Sequence, residues 1–534
     1  MFKGMKRNKN EIIERICAIG ISVFTIVIMA FLWGAGVIWT HTFWNTNTQE
    51  YTDAFMPRIR DGIKGNFIFC FIAILLLIAI YVGVKKYIRS WQIKLFLVLE
   101  MIAMIGFSWT YVCDLQVMQW ADFSQIIITA QQFIDGDFSL FMPGEYMATY
   151  PHQLGLVSLF AAIIKLTGDA GKATSVFQFM NCLCVGGILL NGYRAVNNIW
   201  RKKEINAIYL LIQGLCLPLY FYTPLVYGEL ISIMLLMISI AQLAKILFSL
   251  KIKAADIIVM IVSSGLAVCF RKNSLIILIA MGIVIVITSV KNKSWQINII
   301  LITLIAGMTF PVFVEKGIYG RYNQNASMPT IMWIYIGLQE GSGFGYGAYD
   351  GKAGTLFKEA GYDPEVAAEM AKEEISERLA YFRENPQSGL EFFREKILWQ
   401  WISPSYMCFS NTRFTREGYP IGIAYSVVEG DAREAVTDFM DAYQSLVYLL
   451  MIIGAFGIVK SRGNFMSWIW SISVVGGFLF SILWEAKTRY TYPYFVMMIP
   501  TCAYGIYFMG EKISRTIARI FCGIKHNSSA EVID

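Results

Sequence analysis

The residues best suited to chemistry lie in one acidic stretch, residues 113–153. Asp122 opens a helix-like run that Gly136 ends, and a carboxylate placed there can act as a general base that takes a proton from a hydroxyl group. The same aspartate can equally be a simple cap of an interfacial helix, and spacing alone favours the cap. The other notable residues of the stretch are Asp114, Asp135, Asp137, Glu145 and Tyr150-Pro151-His152-Gln153.

The elements that must position this stretch are membrane spans. The chain has 534 residues, of which 56% are hydrophobic and 16% charged, a composition too apolar for a soluble protein of this length. Uncharged apolar runs recur at the length that crosses a bilayer. We predict an all-α polytopic membrane protein with about twelve spans. These are 16–39, 67–86, 92–112, 175–195, 205–222, 229–249, 254–270, 274–290, 295–314, 441–459, 465–484 and 491–509.

The basic residues predict the orientation of these spans. The net charge is +7, but Lys and Arg lie mostly in short connections on the side of the N-terminus. This placement follows the positive-inside bias, so both termini are predicted to be cytoplasmic, and it argues against a nucleic-acid partner. The short apolar segment 152–166 does not fit the alternation of sides, and we interpret it as a juxtamembrane or re-entrant helix. The acidic stretch then faces outward.

This topology brings four further connections to the outer face, and together they gather ionisable residues at one membrane surface. Charges beside a bilayer are costly unless they are solvated or used. The connections are Tyr222 to Glu229, the turn Arg271-Lys272-Asn273, the segment 315–440 and the turn Trp484 to Tyr490.

Each of these residues has a functional and a structural interpretation. Glu229 could orient a substrate or only favour the positive end of a helix dipole. Arg271 and Lys272 lie on the outer side against the positive-inside bias, which indicates an anionic partner such as a phosphate, unless the turn is cytoplasmic. Arg489 could bind phosphate while Glu485 orients it, or the two could form a structural pair at i, i+4.

The segment 315–440 is the only large polar part of the chain. It begins with glycine-rich sequence suited to a mobile loop. Asp363-Pro364 predicts a helix start, with the helix running to about Glu384. Pro386 starts a second helix, which we expect to lie on the membrane with Trp399 and Trp401 at the interface.

The cysteines and histidines indicate no metal centre. Ten cysteines are scattered without paired spacing, and the chain has only three histidines. No disulfide framework or zinc site is predicted from these residues. We predict no cofactor.

The acidic stretch resembles the first outer loop of the GT-C membrane glycosyltransferases. The resemblance lies in Asp122, Ala130, Gly136-Asp137 and Tyr150-Pro151-His152-Gln153. It is nearest to the branch of protein mannosyltransferases and aminoarabinose transferases, of the type found in Gram-positive bacteria. The resemblance spans most of residues 92–509. The loop ending in Glu229, the turn at Arg271 and the turn Glu485 to Tyr490 also look like family positions.

The resemblance implies a GT-C-like bundle that moves a sugar from a polyprenyl-phosphate donor to a hydroxyl group at the outer face, with inversion. Asp122 would be the catalytic base and Glu229 a second acid that positions substrate, while Arg271, Lys272 and Arg489 would bind the donor phosphate. Tyr150, His152, Gln153, Glu485 and Tyr490 are further candidate substrate-binding residues. The acceptor is left open between a glycan, a teichoic acid and a protein, and the lipid bilayer is the remaining partner.

The sequence also departs from the family pattern. Phe123 follows Asp122 where many relatives carry a second acid, in agreement with an enzyme that needs no metal, and the Tyr-Pro-His-Gln form is unusual. The predicted division is an extra pair of spans in 1–90, a core in 91–314 with its first outer loop at 113–174, the outer segment 315–440, and C-terminal spans with a basic tail in 441–534.

Two other classes of protein compete with this reading. A transporter or flippase of lipid-linked glycans would also be polytopic and basic inside. Such proteins tend to place polar residues near the midplane on broken helices, whereas here the acids gather at one surface. A non-catalytic scaffold leaves the gathering of acids and cations unexplained.

Overall fold

The chain is a multi-pass helical membrane protein. The computed structural model describes residues 9–45, 50–60, 62–249, 253–292, 295–320, 326–341, 345–461 and 464–528. In these ranges nine helical segments are long and apolar enough to cross a membrane, and ten if one bent pair counts as a span. Large apolar side chains such as Phe71 (65% exposed) and Ile102 (60% exposed) point outward. Lipid rather than water is the solvent that stabilises such a surface.

The N-terminal unit contains two helices joined by an antiparallel hairpin. The hairpin was not predicted from the sequence, which assigned the region only to a span end and a loop. It pairs Trp39 with Ile59 and Asn45 with Glu50. The elements are α1 (Lys9–Ile38), β1 (Trp39–Asn45), β2 (Glu50–Ile59) and α2 (Ile63–Tyr87).

The core that follows holds most of the remaining spans. Its helices are α3 (Ser90–Leu115), α4 (Asp122–Asp135), α5 (Tyr146–Thr149), α6 (Leu154–Thr167), α7 (Ala170–Trp200), α8 (Lys203–Gly214), α9 (Pro218–Phe221), α10 (Glu229–Phe248), α11 (Ala254–Phe270), α12 (Ser274–Asn292), α13 (Trp295–Met308) and α14 (Phe310–Phe313). The segments Ser139–Thr149 and Pro151–Thr167 meet at a bend of 91°. This bend suits the re-entrant or juxtamembrane interpretation of 152–166.

The predicted number of twelve spans is not confirmed. The predicted span 205–222 is divided, because α8 ends at Gly214 and the short α9 begins at Pro218. Proline starts a helix readily but cannot donate a backbone hydrogen bond within one. The predicted spans 254–270 and 491–509 coincide with α11 and with the last helix, neither of which is among the nine.

The segment 315–440, which is predicted to be the outer segment, and the C-terminal part follow the core. Their helices are α15 (Ile331–Leu338), α16 (Lys352–Glu359), α17 (Pro364–Glu384), α18 (Pro386–Trp401), α19 (Cys408–Asn411), α20 (Gly422–Val428), α21 (Ala432–Ser461), α22 (Ile469–Leu483) and α23 (Tyr492–Ser528). The predicted helix starts are found, and the Asp363 carboxylate accepts hydrogen bonds from the backbone N–H groups of Glu365 and Val366. Trp399 and Trp401 are buried within the protein, contrary to the expectation of an interfacial position, and the Trp401 indole donates to Ser481 Oγ at 2.9 Å.

The glycine-rich start of the outer segment packs closely against the turn that follows α22. A Cβ on Gly337 would lie 2.1 Å from the carbonyl oxygen of Leu483. Gly347 has φ +74, and its carbonyl accepts a hydrogen bond from Ala486 N at 2.7 Å. At these two positions glycine is required by close backbone approach rather than by mobility. This packing fixes the turn 484–490 against the outer segment.

Candidate functional site

Asp122 is the first residue of α4, but its side chain does not cap the helix. The N-cap is Ala121, which makes no side-chain cap bond. The Asp122 carboxylate instead accepts one hydrogen bond from Arg489 Nη2 at 2.7 Å and another from the Tyr146 hydroxyl at 2.9 Å. Asp122 was interpreted either as a simple helix cap or as a site residue, and the structure excludes the helix cap.

The surroundings of Asp122 keep it ionised. Its side chain is 31% exposed, while that of Arg489 is 6% exposed. Burial alone would raise the pKa of the carboxyl group, but Arg489 and Lys487, with the hydrogen bonds from Arg489 and Tyr146, lower the pKa below its usual range. Asp122 is accordingly a carboxylate at neutral pH. While it is paired with Arg489, it is also a weak base.

A second acid and arginine pair lies at the start of α10. Glu229 is 3% exposed and Arg271 14% exposed at the side chain, and Arg271 Nη2 lies 3.0 Å from Glu229 Oε1. The contact is a close ion pair without hydrogen-bond geometry at this carboxylate oxygen. Gly228 permits the approach, because a Cβ there would lie 2.5 Å from the carbonyl oxygen of Phe270.

Two tyrosine rings join the two ion pairs into one cluster. The guanidinium carbons of Arg271 and Arg489 lie 4.7 Å and 4.8 Å from the centre of the Tyr227 ring. Both also lie 5.8 Å from the centre of the Tyr490 ring. Cation–π attraction holds an arginine at such distances, and it is stronger in desolvated sites. Both guanidinium groups are therefore held against the same two rings although their charges repel.

The turn between α22 and α23 supplies Arg489 and Tyr490. The Tyr490 hydroxyl donates to Glu485 Oε2 at 2.8 Å, and Lys487 Nζ lies 3.3 Å from Glu485 Oε1. The alternative prediction, in which Glu485 and Arg489 form an ion pair at i, i+4, is wrong, because Arg489 forms its ion pair with Asp122. The turn is not α-helical, because Lys487 is extended and residues 488–490 form a 3₁₀ turn.

The remaining predicted residues lie around this cluster. Gln153 donates from Nε2 to the Tyr146 hydroxyl at 2.6 Å, so it reaches Asp122 through one intermediate group. Lys272 pairs with Glu315 at 3.0 Å and is half-exposed. Tyr150 and His152 lie further out, where their rings are 5.9 Å and 5.7 Å from the ring of Trp333.

Several residues of the site were not singled out from the sequence. Tyr146 contacts Asp122 directly, Glu315 is the partner of Lys272, and Lys396 of α18 is fully buried. Lys396 Nζ donates to the carbonyl oxygens of Gly337 and Ile482. A usable signal existed for Lys396, since Phe392 and Trp399 place it on the apolar face of the helix. Tyr146 and Glu315 had no such signal.

The cluster keeps hydrogen-bonding groups that the described residues do not satisfy. Arg489 Nε is a buried donor without an acceptor there, and Glu229 Oε1 and Glu485 Oε1 are buried acceptors without a donor in hydrogen-bond geometry. A buried polar group without a partner in the protein has its hydrogen-bonding capacity left for a water molecule, an ion or another polar group. Within the described ranges, no group of three or more His, Cys, Asp or Glu side chains could hold a metal ion.

Fold and site thus define a multi-pass helical membrane protein with a buried cluster of acids and arginines at one end of its spans. The sequence matches no protein-family model and no curated protein. Among solved structures it is similar to archaeal oligosaccharyltransferases and to ArnT.

Three of these structures illustrate the likeness. The Archaeoglobus fulgidus oligosaccharyltransferase tethered to an acceptor peptide has 12% identity and a TM-score of 0.39, with 79% of this chain and 50% of that chain covered. AglB from the same organism, with an inhibitory peptide and a dolichol-phosphate, has 12% identity and a TM-score of 0.38, with 82% of this chain and 52% of that chain covered. ArnT from Cupriavidus metallidurans bound to undecaprenyl phosphate has 12% identity and a TM-score of 0.33, with 79% of this chain and 80% of that chain covered. The chain spans about half the length of the archaeal enzymes.

Proposed function

We propose that the protein is a GT-C-type glycosyltransferase that moves a sugar from a polyprenyl-phosphate donor to an acceptor hydroxyl group at the outer face of the membrane. The observation that carries this proposal is the joint position of Asp122–Arg489 and Glu229–Arg271 around Tyr227. One cluster then offers a base for the acceptor and cations for the phosphate that leaves.

The reaction is a direct displacement. An acceptor oxygen attacks the anomeric carbon of the donor while Asp122 takes the proton of that hydroxyl group. The bond from the anomeric carbon to the phosphate oxygen breaks, and the lipid phosphate leaves with the electron pair. Attack opposite the leaving group inverts the anomeric carbon. Arg489 and Arg271 stabilise the charge that develops on the phosphate.

Binding of the donor phosphate activates the base in this scheme. A phosphate competes with Asp122 for Arg489, and arginine binds phosphate in a bidentate fork. The unsatisfied Arg489 Nε supports this role. As Arg489 turns to the phosphate, the pKa of Asp122 rises from its lowered value and the carboxylate becomes a stronger base. Lys272 is a further phosphate ligand, while Glu229 holds Arg271 in place.

A transfer assay tests the role of Asp122. Purified protein would receive undecaprenyl-phosphate sugars and candidate acceptors, namely glycans, teichoic acid and protein. Asp122→Asn is expected to lower kcat by about 10²- to 10⁴-fold, the usual contribution of a general base. Lys372→Met, at a side chain that is 56% exposed on α17, is the control and should keep full activity. Equal turnover by Asp122→Asn would remove this residue as the base.

The second candidate is a flippase of lipid-linked glycans. Sealed vesicles that contain the protein and a lipid-linked sugar distinguish the two functions. Consumption of the sugar with release of lipid phosphate supports the transferase, whereas movement between leaflets without consumption would replace it by the flippase. A cysteine introduced at position 271 should react from the outer side only. Labelling only from the cytoplasmic side would end the proposal of an outer phosphate site.

A further inference from the structure

Five aromatic residues from three parts of the chain lie beside the charged cluster. We name them the aromatic cluster: Tyr150, His152, Trp333, Tyr349 and Trp484. All five residues are half-buried.

The aromatic cluster is continuous with Asp122. The Tyr146 hydroxyl donates to Asp122, and the Tyr146 ring lies 5.1 Å from the ring of Tyr150. Tyr150 in turn lies 5.9 Å from Trp333. A group resting on these rings is therefore within reach of the proposed base.

The aromatic cluster is also continuous with the cationic side of the site. The rings of Trp333 and Trp484 are nearly parallel, with an interplanar angle of 18° and centres 6.3 Å apart. Trp484 directly precedes Glu485, which accepts a hydrogen bond from Tyr490, and the Tyr490 ring lies 5.8 Å from both arginine guanidinium carbons. The cluster thus borders both the base and the phosphate side.

The cluster combines flat apolar faces with polar edges. The Tyr150 and Tyr349 hydroxyl oxygens lie 3.5 Å apart, at the limit of a hydrogen bond. The His152 ring lies 5.7 Å from Trp333 and adds an imidazole to the same surface. An isoprenoid chain needs apolar surface only. A sugar presents C–H groups on one face and hydroxyl groups at its edge, which match aromatic faces and polar tips together.

We propose that the aromatic cluster is a sugar-binding platform, with Trp333 as its stacking residue, that holds a pyranose ring beside Asp122. This inference rests on the proposed function and names the part of the substrate that is recognised. The ring belongs either to the lipid-linked donor or to an acceptor glycan, and the experiment separates these sources.

The test measures what the sugar adds to lipid binding. Affinity for undecaprenyl phosphate is compared with affinity for undecaprenyl phosphate that carries glucose, mannose or N-acetylglucosamine, using the full chain. In the wild type at least one sugar should tighten binding, and Trp333→Ala should lose that gain, about 2- to 10-fold for one aromatic contact. Trp333→Phe should keep most of it. Trp91→Ala, at a residue that is 58% exposed at the start of α3, is the matched control and should change nothing.

The outcomes decide both the source of the ring and the proposal. Loss of the sugar-dependent gain in Trp333→Ala, with unchanged affinity for bare undecaprenyl phosphate, assigns the ring to the donor. If Trp333→Ala keeps the sugar-dependent gain in affinity but has a raised KM for an acceptor glycan, the ring belongs to the acceptor. If neither quantity changes, or if Trp91→Ala has the same effect, the platform is overturned while the transferase stands. Failure of the wild type to bind any undecaprenyl-phosphate species would overturn the proposed function together with the platform.

Discussion

At the scale of single residues, Tyr146 is the group that most directly fixes the proposed base. Its hydroxyl donates to Asp122 Oδ1 at 2.9 Å and itself accepts from Gln153 Nε2 at 2.6 Å. The bond positions the Asp122 carboxylate, and displacement of a catalytic group by about 1 Å can cost about 10²-fold in rate. Tyr146→Phe is therefore expected to lower kcat about 10- to 100-fold, although loss of the bond also raises the pKa of Asp122, and to change the KM of the donor less.

Tyr425→Phe is the matched control for that change. It also removes one hydroxyl group, but from a side chain of α20 that is 49% exposed and lies outside the site. Steady-state transfer rates of the two variants give the comparison. A Tyr146→Phe enzyme as fast as Tyr425→Phe would show that Asp122 does not need this hydrogen bond.

The charged residues of the site were largely predictable, whereas their pairing was not. Sequence placed Asp122, Glu229, Arg271 and Arg489 at the same end of the spans, because each follows or precedes an apolar run. The structure brings these four together, while their catalytic and binding roles stay predictions. The alternative of a Glu485–Arg489 pair assumed helical spacing, which fails because Lys487 is extended. Side-chain partners across loops depend on tertiary geometry that spacing does not contain.

At the scale of elements, α18 joins the outer segment to the turn that carries Arg489. Lys396 is fully buried in this helix, and its Nζ donates to Gly337 O and Ile482 O. Burial lowers the pKa of Lys396 to about 7, although the nearby Glu485 raises it. An unfolded lysine titrates near pH 10.4. Between about pH 7 and pH 10 the unfolded chain binds more protons here, so this residue makes stability rise with pH in that range.

Lys396→Met should remove this rise. Each unit of pKa difference corresponds to about 1.4 kcal/mol, so from pH 7 to pH 9 the wild type should gain about 2 kcal/mol relative to the variant. Thermal unfolding in detergent at several pH values gives the measurement, with Lys372→Met on the exposed surface of α17 as the control. Parallel pH profiles of wild type and Lys396→Met would contradict a lowered pKa at this lysine.

Elements with local signals were predictable, and elements that depend on distant contacts were not. Asp363-Pro364 and Pro386 marked the starts of α17 and α18, because caps and proline act within a few residues. The hairpin of β1 and β2 was not predicted, and its packing against α21 is a long-range contact that leaves no local signal in the sequence. Trp399 and Trp401 were expected at a membrane interface, yet the Trp401 indole is satisfied inside the protein by Ser481.

At the scale of the whole molecule, the N-terminal pair of spans lies outside the region of resemblance but is tied into the bundle by a buried ion pair. Arg60 Nη2 lies 2.8 Å from Asp441 Oδ1, with side chains that are 6% and 8% exposed. Thr40 Oγ1 also donates to Asp441 at 2.8 Å, and Arg60 Nη1 donates to Ser445 Oγ at 3.3 Å. The hairpin, α2 and α21 therefore meet at one polar contact.

Removing one partner of the Arg60–Asp441 ion pair should lower the free energy of unfolding far more than removing both partners. Arg60→Met leaves the Asp441 charge buried without its cation, so we expect a loss of about 3–5 kcal/mol in the free energy of unfolding. In Arg60→Met/Asp441→Leu no uncompensated charge is left, and stability should recover most of that loss. Lys372→Met, which breaks the surface pair Lys372–Glu369, is the comparison variant, since pairs this exposed contribute about 0–1 kcal/mol. Denaturation of the three variants in detergent gives the values. If the double variant is no more stable than Arg60→Met, the N-terminal spans are held by apolar packing rather than by this ion pair.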